Sequence, residues 1–131
     1  MAIDYLFVYG TLLKDSKHDM AQFLEAHSEC LGDAYFNGKL YMVSWFPGAV
    51  LSDNPSEKVY GRVFKLNKDP SIFEALNDYE GVGEHYPEPN LYRKERVTAY
   101  LSDGSELAAW VYIYNLSVSN LKQIASGKFF E

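Results

Sequence analysis

The apolar run at the start of this chain limits its fold more than any other sequence feature. Residues 3–9 are rich in aromatic and β-branched side chains, a composition typical of a largely buried strand. Gly10-Thr11 ends the run where the backbone can turn sharply, because glycine tolerates positive φ angles. A buried strand needs a core around it. The 131 residues, of which 47% are hydrophobic, suffice for one ordinary domain, which we expect to comprise residues 1–131.

Five further segments predict strands, because each is apolar or alternating and lies between turn signals. They are residues 30–35, 39–43, 59–66, 92–101 and 106–114. Turn or loop sequences separate them at Asn37-Gly38, at residues 46–48, at residues 53–56 and at residues 102–104. Short connections of this kind predict hairpins rather than a strict alternation of strands and helices.

Two or three short helices complete the prediction. The first has Ser16 as its N-cap, and the second has Asp69 as its N-cap, Pro70 as its first residue and Gly81 as its stop. A third, in the tail, begins near Ser119. Together these elements predict an α+β domain around a mixed, strongly curved or barrel-like sheet of about six strands.

Charge and composition exclude several classes of function. The net charge is −6, and the densest basic run, residues 93–96, has an acid within it, so the basic stripe typical of nucleic-acid or anionic-membrane binding is absent from the sequence. The single cysteine, Cys30, is predicted to be a small buried residue, and it allows no intramolecular disulfide. The three histidines lack metal-ligand spacing, and no nucleotide-binding motif occurs, so we expect neither metal nor cofactor. The sequence predicts a cytoplasmic protein with a small-molecule partner.

The first candidate for chemistry is the sequence Tyr9-Gly10-Thr11-Leu12, directly after the opening strand. Successive amide N–H groups in a sharp turn can converge on an anion such as a carboxylate. A simple strand-ending turn is the plainer alternative, since strand-Gly-Thr is a common sequence.

The second candidate is Glu80, in the last turn of the second predicted helix. It lies four residues after Leu76 and seven after Phe73, so it shares the helix's apolar stripe. Burial and the helix dipole both favour the protonated acid, and both would raise the pKa of Glu80 toward a range suited to general acid–base work. The alternative is a helix that ends at Asp78, with Glu80 projecting into water.

Tyrosines form the third candidate feature. Tyr86 and Tyr92 follow Glu80 in the chain, and Tyr112 and Tyr114 lie on the last long predicted strand. Such rings offer an apolar wall and a hydroxyl donor, as small-ligand pockets often do. Several of the 11 tyrosines serve ordinary packing, and we expect Tyr86 and Tyr114 to contact the ligand.

With these residues in place, the chain resembles the γ-glutamylcyclotransferase-like family, including γ-glutamylamine cyclotransferases and the butirosin-pathway enzyme. The resemblance covers nearly the whole chain and depends on short motifs in a set order. These are residues 7–12, 40–41, 46–50, 59–64, 76–81, 92–93, 109–112 and 124–127. Phe46, Asn77 and Lys128-Phe129 depart from the family's common residues, which blurs the subfamily but removes neither the loop nor the glutamate.

The resemblance implies a small mixed β-barrel flanked by helices. It also implies a pocket in which residues 9–12 hold one end of a γ-glutamyl group, with Glu80 matching the family's catalytic glutamate. The implied reaction is closure of the γ-glutamyl group to 5-oxoproline, with release of an amine or amino acid. Two alternatives remain open: a non-catalytic module that binds a carboxylated metabolite, and an interaction domain with exposed aromatic residues. Neither the leaving group nor the oligomeric state follows from the sequence.

Overall fold

Seven strands make up the regular structure of the described residues. The computed structural model of the chain describes residues 4–9, 28–43, 47–66 and 92–128. The strands are β1 (Tyr5–Val8), β2 (Ser28–Met42), β3 (Pro47–Leu51), β4 (Lys58–Leu66), β5 (Tyr92–Leu101), β6 (Glu106–Tyr114) and β7 (Lys122–Ile124). The predicted bounds of β5 and β6 are confirmed. The helices predicted after Ser16 and Asp69 lie outside the described residues.

Five of these strands close into a barrel. Their order is β2-β4-β1-β6-β5, and residues 34–35 of β2 complete the ring by pairing with residues 100–101 of β5. All neighbouring pairs in the ring are antiparallel except β1 and β6, which run parallel. The predicted mixed barrel is therefore confirmed. In addition, β3 and β7 pair with the second half of β2.

The prediction of two strands joined by a turn at Asn37-Gly38 is wrong, because β2 runs straight through these residues. They mark a change of partner instead: Asn37 is the last residue opposite β4, and Gly38 is the first opposite β3. The polar groups expected to close a turn bind elsewhere. Both the Asn37 side-chain amide and the Gly38 N–H donate to the carbonyl of Glu57, at 3.3 and 3.1 Å.

Two further predictions of local structure are wrong for a similar reason. Pro47 and Gly48, predicted to lie in a turn, begin β3, where Pro47 occupies the first position and needs no N–H for the ladder. The tail helix expected from Ser119 is replaced by a turn and by β7, whose three residues pair with β2. In both places a partner strand supplied by β2 determines the backbone conformation.

Cys30 is exposed, which corrects the prediction that it is buried. A β-bulge explains the difference, because Cys30 lies opposite Phe64 whereas Gly32 lies opposite Val63, so one residue of β2 has no partner. Gly32 takes the positive φ of 126° found at this irregularity. Side chains alternate between the two faces of a strand, so the extra residue moves Cys30 to the face opposite the buried Val63.

The core lies on both sides of β1. The interior of the barrel contains Phe7, Tyr9, Ala34, Phe36, Leu40, Ala49, Val59, Val63, Ala99, Ala109, Val111 and Ile113. A second cluster contains Leu6, Val8, Leu66, Tyr92, Tyr112 and Tyr114. Leu6 and Phe7 point in opposite directions along β1, yet each is only 1% exposed. The buried strand predicted from the opening run is thus confirmed.

Candidate functional site

Two of the predicted site residues, Tyr9 and Tyr114, lie in the described structure, and both mark one end of the barrel. Since β1 and β6 run parallel, their carboxyl ends meet there, and β5 begins beside them with Tyr92 opposite Tyr114. We call this region the tyrosine end, defined by Tyr9, Tyr92, Tyr112, Tyr114 and residues 47–49 of β3. The remaining predicted site residues lie outside the described residues: Gly10, Thr11, Leu12, Glu80 and Tyr86.

Tyr9 joins three elements at this end. Its side chain is 7% exposed and belongs to the barrel interior. The hydroxyl donates to the carbonyl of Tyr112 on β6 at 2.6 Å and accepts from the N–H of Ala49 on β3 at 3.1 Å. Both hydrogen bonds are buried. The side chain therefore supports the main chain, and the prediction that Tyr9 contacts a ligand stays a prediction.

Tyr92 makes a matching contact from the first position of β5. Its hydroxyl donates to the carbonyl of Pro47 at 2.6 Å in a buried hydrogen bond. Its ring packs edge to face against that of Tyr114, with centroids 6.0 Å apart and planes at 75°. Tyr114 is 6% exposed, and its β-carbon would lie 2.8 Å from a Cβ added to Gly48. Glycine at position 48 thus lets β3 approach the end of β6.

Sequence reasoning identified the tyrosines but missed what their hydroxyls bind. The partners are main-chain groups of residues 47, 49 and 112, and a carbonyl or an amide N–H is present at every such position whatever its side chain. No sequence signal distinguishes these groups. Only the fold brings Tyr9 and Tyr112 together across 103 positions of the chain.

Side chains of the basic run on β5 contact the carboxylate within that run and residues in or directly after the neighbouring strand. The Arg93 guanidinium lies 3.6 Å from the Glu95 carboxylate and donates to the Asn115 side chain at 3.3 Å. The Lys94 ammonium lies 4.8 Å from the centre of the Trp110 ring. Burial lowers the pKa of Lys94, because it removes water from the charged form, while the charge of Asp4 acts in the opposite direction. These contacts fix the start of β5, and hence Tyr92, to the sheet.

A separate depression of about 220 Å³ lies where β7 pairs with β2. Its lining is polar and includes Lys39, Glu57 and Gln123, and Lys39 and Glu57 form an ion pair at 3.6 Å. Neither Tyr9 nor Tyr114 lines it. In the four described ranges, no three His, Cys, Asp or Glu side chains are grouped to hold a metal ion. In those same ranges, no helix has the length and apolar composition needed to cross a bilayer.

Comparison with known proteins gives consistent matches in sequence and in fold. A family model described as gamma-glutamyl cyclotransferase, AIG2-like, matches residues 6–131. A protein of Methanocaldococcus jannaschii, provisionally named a gamma-glutamylcyclotransferase, is 26% identical over 113 residues, which are 86% of this chain and 85% of that protein. The family match thus spans all seven predicted site residues.

Solved structures show the same architecture. The mouse AIG2-like protein matches with a TM-score of 0.70 at 16% identity, over 91% of this chain and 82% of that chain. At that identity the likeness concerns the fold alone. YkqA of Bacillus subtilis matches with a TM-score of 0.68 at 26% identity over 97% of this chain, but the match covers 39% of that chain. The present chain therefore corresponds to less than half of YkqA.

Proposed function

The chain belongs to the gamma-glutamyl cyclotransferase, AIG2-like family, and on that premise we propose that it closes the γ-glutamyl group of a small substrate to 5-oxoproline. The substrate's own α-amine attacks its γ-carbonyl, and the amine or amino acid on that carbonyl leaves. Family membership supports a cyclotransferase-type function in general. The identity of the reacting groups and the roles of individual residues are the proposal.

The observation that carries the proposal is the extent of the family match. It includes both the residues 9–12 and Glu80, the two features that the sequence marks for anion binding and for proton transfer. The described barrel is consistent with one site. Tyr9 directly precedes Gly10, and Tyr92 directly follows the segment that contains Glu80 and Tyr86. Both tyrosines lie at the tyrosine end and hydrogen-bond to β3.

The chemistry requires a base and a fixed substrate conformation. The α-amine is an ammonium at neutral pH and must lose a proton before its nitrogen can attack. In our proposal the Glu80 carboxylate accepts that proton and then returns it to the departing nitrogen as the carbon–nitrogen bond breaks. The second proton, which the attacking nitrogen loses as the ring closes, follows the same route, so the released amine leaves as an ammonium. The amide N–H groups of residues 10–12 hold the α-carboxylate. Since both reacting groups belong to one molecule, holding the substrate in a folded conformation supplies much of the rate enhancement.

The test is the release of 5-oxoproline by wild-type protein and by Glu80→Gln, measured by mass spectrometry with a panel of γ-glutamyl amino acids and amines. We expect the variant to lose about 10²–10⁴-fold in kcat, the usual contribution of a general acid–base group. Glu106→Gln is the matched control, because Glu106 lies exposed on β6, and it should retain wild-type turnover. Thermal unfolding of both variants checks that each is folded.

The outcomes separate the enzyme from its main alternative. Turnover that depends on Glu80 with any member of the panel supports the proposal and identifies the class of leaving group. A Glu80→Gln variant with wild-type kcat would refute the role of Glu80. If γ-glutamyl compounds bind without releasing 5-oxoproline, the chain is a binding module for carboxylated metabolites instead.

A further inference from the structure

Two buried tyrosine hydroxyls hold the same three residues of β3. We propose that Tyr9 and Tyr92 are positioning residues for the proposed reaction. By holding residues 47–49 from both sides, the two tyrosines fix the points on the barrel from which the segments with residues 10–12 and Glu80 extend. We call this arrangement the tyrosine clamp: the two hydroxyls, the carbonyl of Pro47 and the N–H of Ala49. The inference rests on the proposed function, because it assigns the clamp a part in that reaction.

The geometry connects both tyrosines to adjacent main-chain groups. Tyr92 donates to the Pro47 carbonyl at 2.6 Å, and Tyr9 accepts from the Ala49 N–H at 3.1 Å. Both hydrogen bonds are buried. Because an unsatisfied buried polar group costs about 1–3 kcal/mol, each hydroxyl opposes movement of β3 away from it.

Gly48, between the two bound residues, is also confined. A Cβ added to Gly48 would lie 2.8 Å from the β-carbon of Tyr114 and 2.8 Å from a methyl carbon of Val43, closer than side chains normally approach. Residues 47–49 are therefore fixed by hydrogen bonds at both ends and by contact in the middle. A rigid link of this kind can transmit a displacement from one tyrosine to the other.

The covalent chain explains why this link matters. Tyr9 is bonded directly to Gly10, and Tyr92 is bonded directly to residue 91, the end of the segment that contains Glu80 and Tyr86. Each site-bearing segment is thus attached to one half of the clamp. Ring closure depends on near-attack geometry, and a misplacement of about 1 Å can cost about 10²-fold in rate.

The hydroxyl protons of Tyr9 and Tyr92 both bind main-chain carbonyls in this arrangement. A tyrosine has one hydroxyl proton, and those of Tyr9 and Tyr92 are donated to the carbonyls of Tyr112 and Pro47. Neither proton is available to a substrate while these bonds persist. The tyrosines therefore act through β3, and their removal should leave the pKa values of the reacting groups unchanged.

The first test is kinetic and uses Tyr9→Phe, Tyr92→Phe and the double variant. Each single variant should lower kcat/KM by about 10–100-fold without altering the shape of the pH–rate profile. The double variant should lose little more than the worse single variant, because both changes release the same β3 segment. Tyr100→Phe is the matched control, since Tyr100 lies half-buried and stacks on Tyr35 at 5.1 Å, away from the clamp. It should keep wild-type kinetics.

The second test does not require activity. Amide hydrogen exchange, followed by NMR, should show faster exchange of the Ala49 N–H in Tyr9→Phe. It should also show crossed effects: Tyr9→Phe perturbs amides of residues 67–91, and Tyr92→Phe perturbs amides of residues 10–12. If Tyr9→Phe does not fold, Tyr92→Phe alone provides the crossed measurement.

Failure of the clamp and failure of the proposed function give different results. If the single tyrosine variants have wild-type kcat/KM while Glu80→Gln inactivates the protein, the positioning role of the clamp is refuted. The proposed cyclotransferase activity is then still supported. Amide perturbations confined to each variant's own segment would overturn the clamp whether or not the protein is an enzyme. Absence of 5-oxoproline with crossed perturbations present would overturn the enzymatic role and leave a clamp that positions two parts of a binding site.

Discussion

Gly61→Ala should destabilise the fold, because the added methyl group would occupy space that the backbone of β1 already fills. Gly61 lies in β4 and faces the barrel interior beside the end of β1. A Cβ at this position would lie 2.1 Å from the Val8 carbonyl oxygen and 2.9 Å from a ring carbon of Phe7. The carbonyl would have to retreat by more than an ångström to reach an ordinary contact of 3.4 Å. Because the obstacle is backbone in a paired strand, no side-chain rotation can relieve it.

The loss of stability predicted for Gly61→Ala is opposite in sign to the usual effect of replacing glycine by alanine in a strand. Alanine is ordinarily better than glycine in a strand by about 0.5–1 kcal/mol, because glycine loses more conformational freedom on folding. Gly61 is not among the glycines with positive φ, so its backbone accepts alanine. Overpacking a core costs about 1–3 kcal/mol, which corresponds to a fall in Tm of about 3–12 °C for a chain of this size. Urea unfolding and calorimetry measure both quantities.

The matched control is the reverse substitution at an open position of the same sheet. Ala108 lies exposed on β6, and Ala108→Gly should lose about 0.5–1 kcal/mol through the intrinsic difference alone. Glycine should therefore be the better residue at position 61 and the worse one at position 108. A Gly61→Ala variant as stable as the wild type, or more stable, would show that β1 and β4 separate freely and would refute the argument.

Two further predictions concern the core and a turn. Phe36→Ala should lower the free energy of unfolding by about 3–5 kcal/mol in urea, because Phe36 is 1% exposed and packs edge to face on Phe7 at 5.0 Å; a loss below about 1 kcal/mol would contradict that packing. The pKa of Asp103 lies below its ordinary value because the Ser105 hydroxyl and N–H both donate to its carboxylate. The ionised form therefore stabilises the turn above the unfolded pKa of about 3.9, and that contribution disappears as the pH falls through the folded pKa. The Tm of Asp103→Asn should differ from that of the wild type near neutral pH and converge with it in acid, whereas a constant difference would show that ionisation is irrelevant.

The sequence predicted those elements whose signals are local. The bounds of β5 and β6 are right, since the two strands are neighbours in the chain and residues 102–104 form a turn between them. The mixed barrel was also predicted. The prediction from the sequence is wrong where a distant strand determines the local backbone conformation. Asn37-Gly38 is a sequence typical of turns, but both residues pair with strands that come later in the chain. The prediction that Cys30 is buried is wrong because of a bulge one residue away. The bulge exchanges the inward-facing and outward-facing positions of β2 on its two sides.

The same distinction between local sequence signals and long-range packing applies to the candidate site. The sequence marked Tyr92, Tyr112 and Tyr114 in one group with Tyr86, and it marked Tyr9 separately in the turn after the opening strand. The barrel brings Tyr9 and the three described members of that group to one end, whereas Tyr86 lies outside the described residues. What these residues bind there could not be predicted, because the partners are main-chain groups selected by long-range packing. The clamp itself depends on hydrogen bonds between residues that are 40 and 45 positions apart in the chain. Over such separations, sequence patterns do not predict which residues lie beside one another.

The position of β1 also has a consequence for biosynthesis. This strand is translated before the other six described strands, whereas its parallel neighbour β6 begins only at Glu106. At about 5–20 residues per second, roughly 5–20 s pass before the partner has been translated. During that interval the nascent chain carries an apolar segment with both edges open until β4 has been translated and with one edge open thereafter, and other chains can pair with an open edge. Slow translation of the second half would prolong this exposure, so the yield of folded protein should depend on the speed with which β6 is translated.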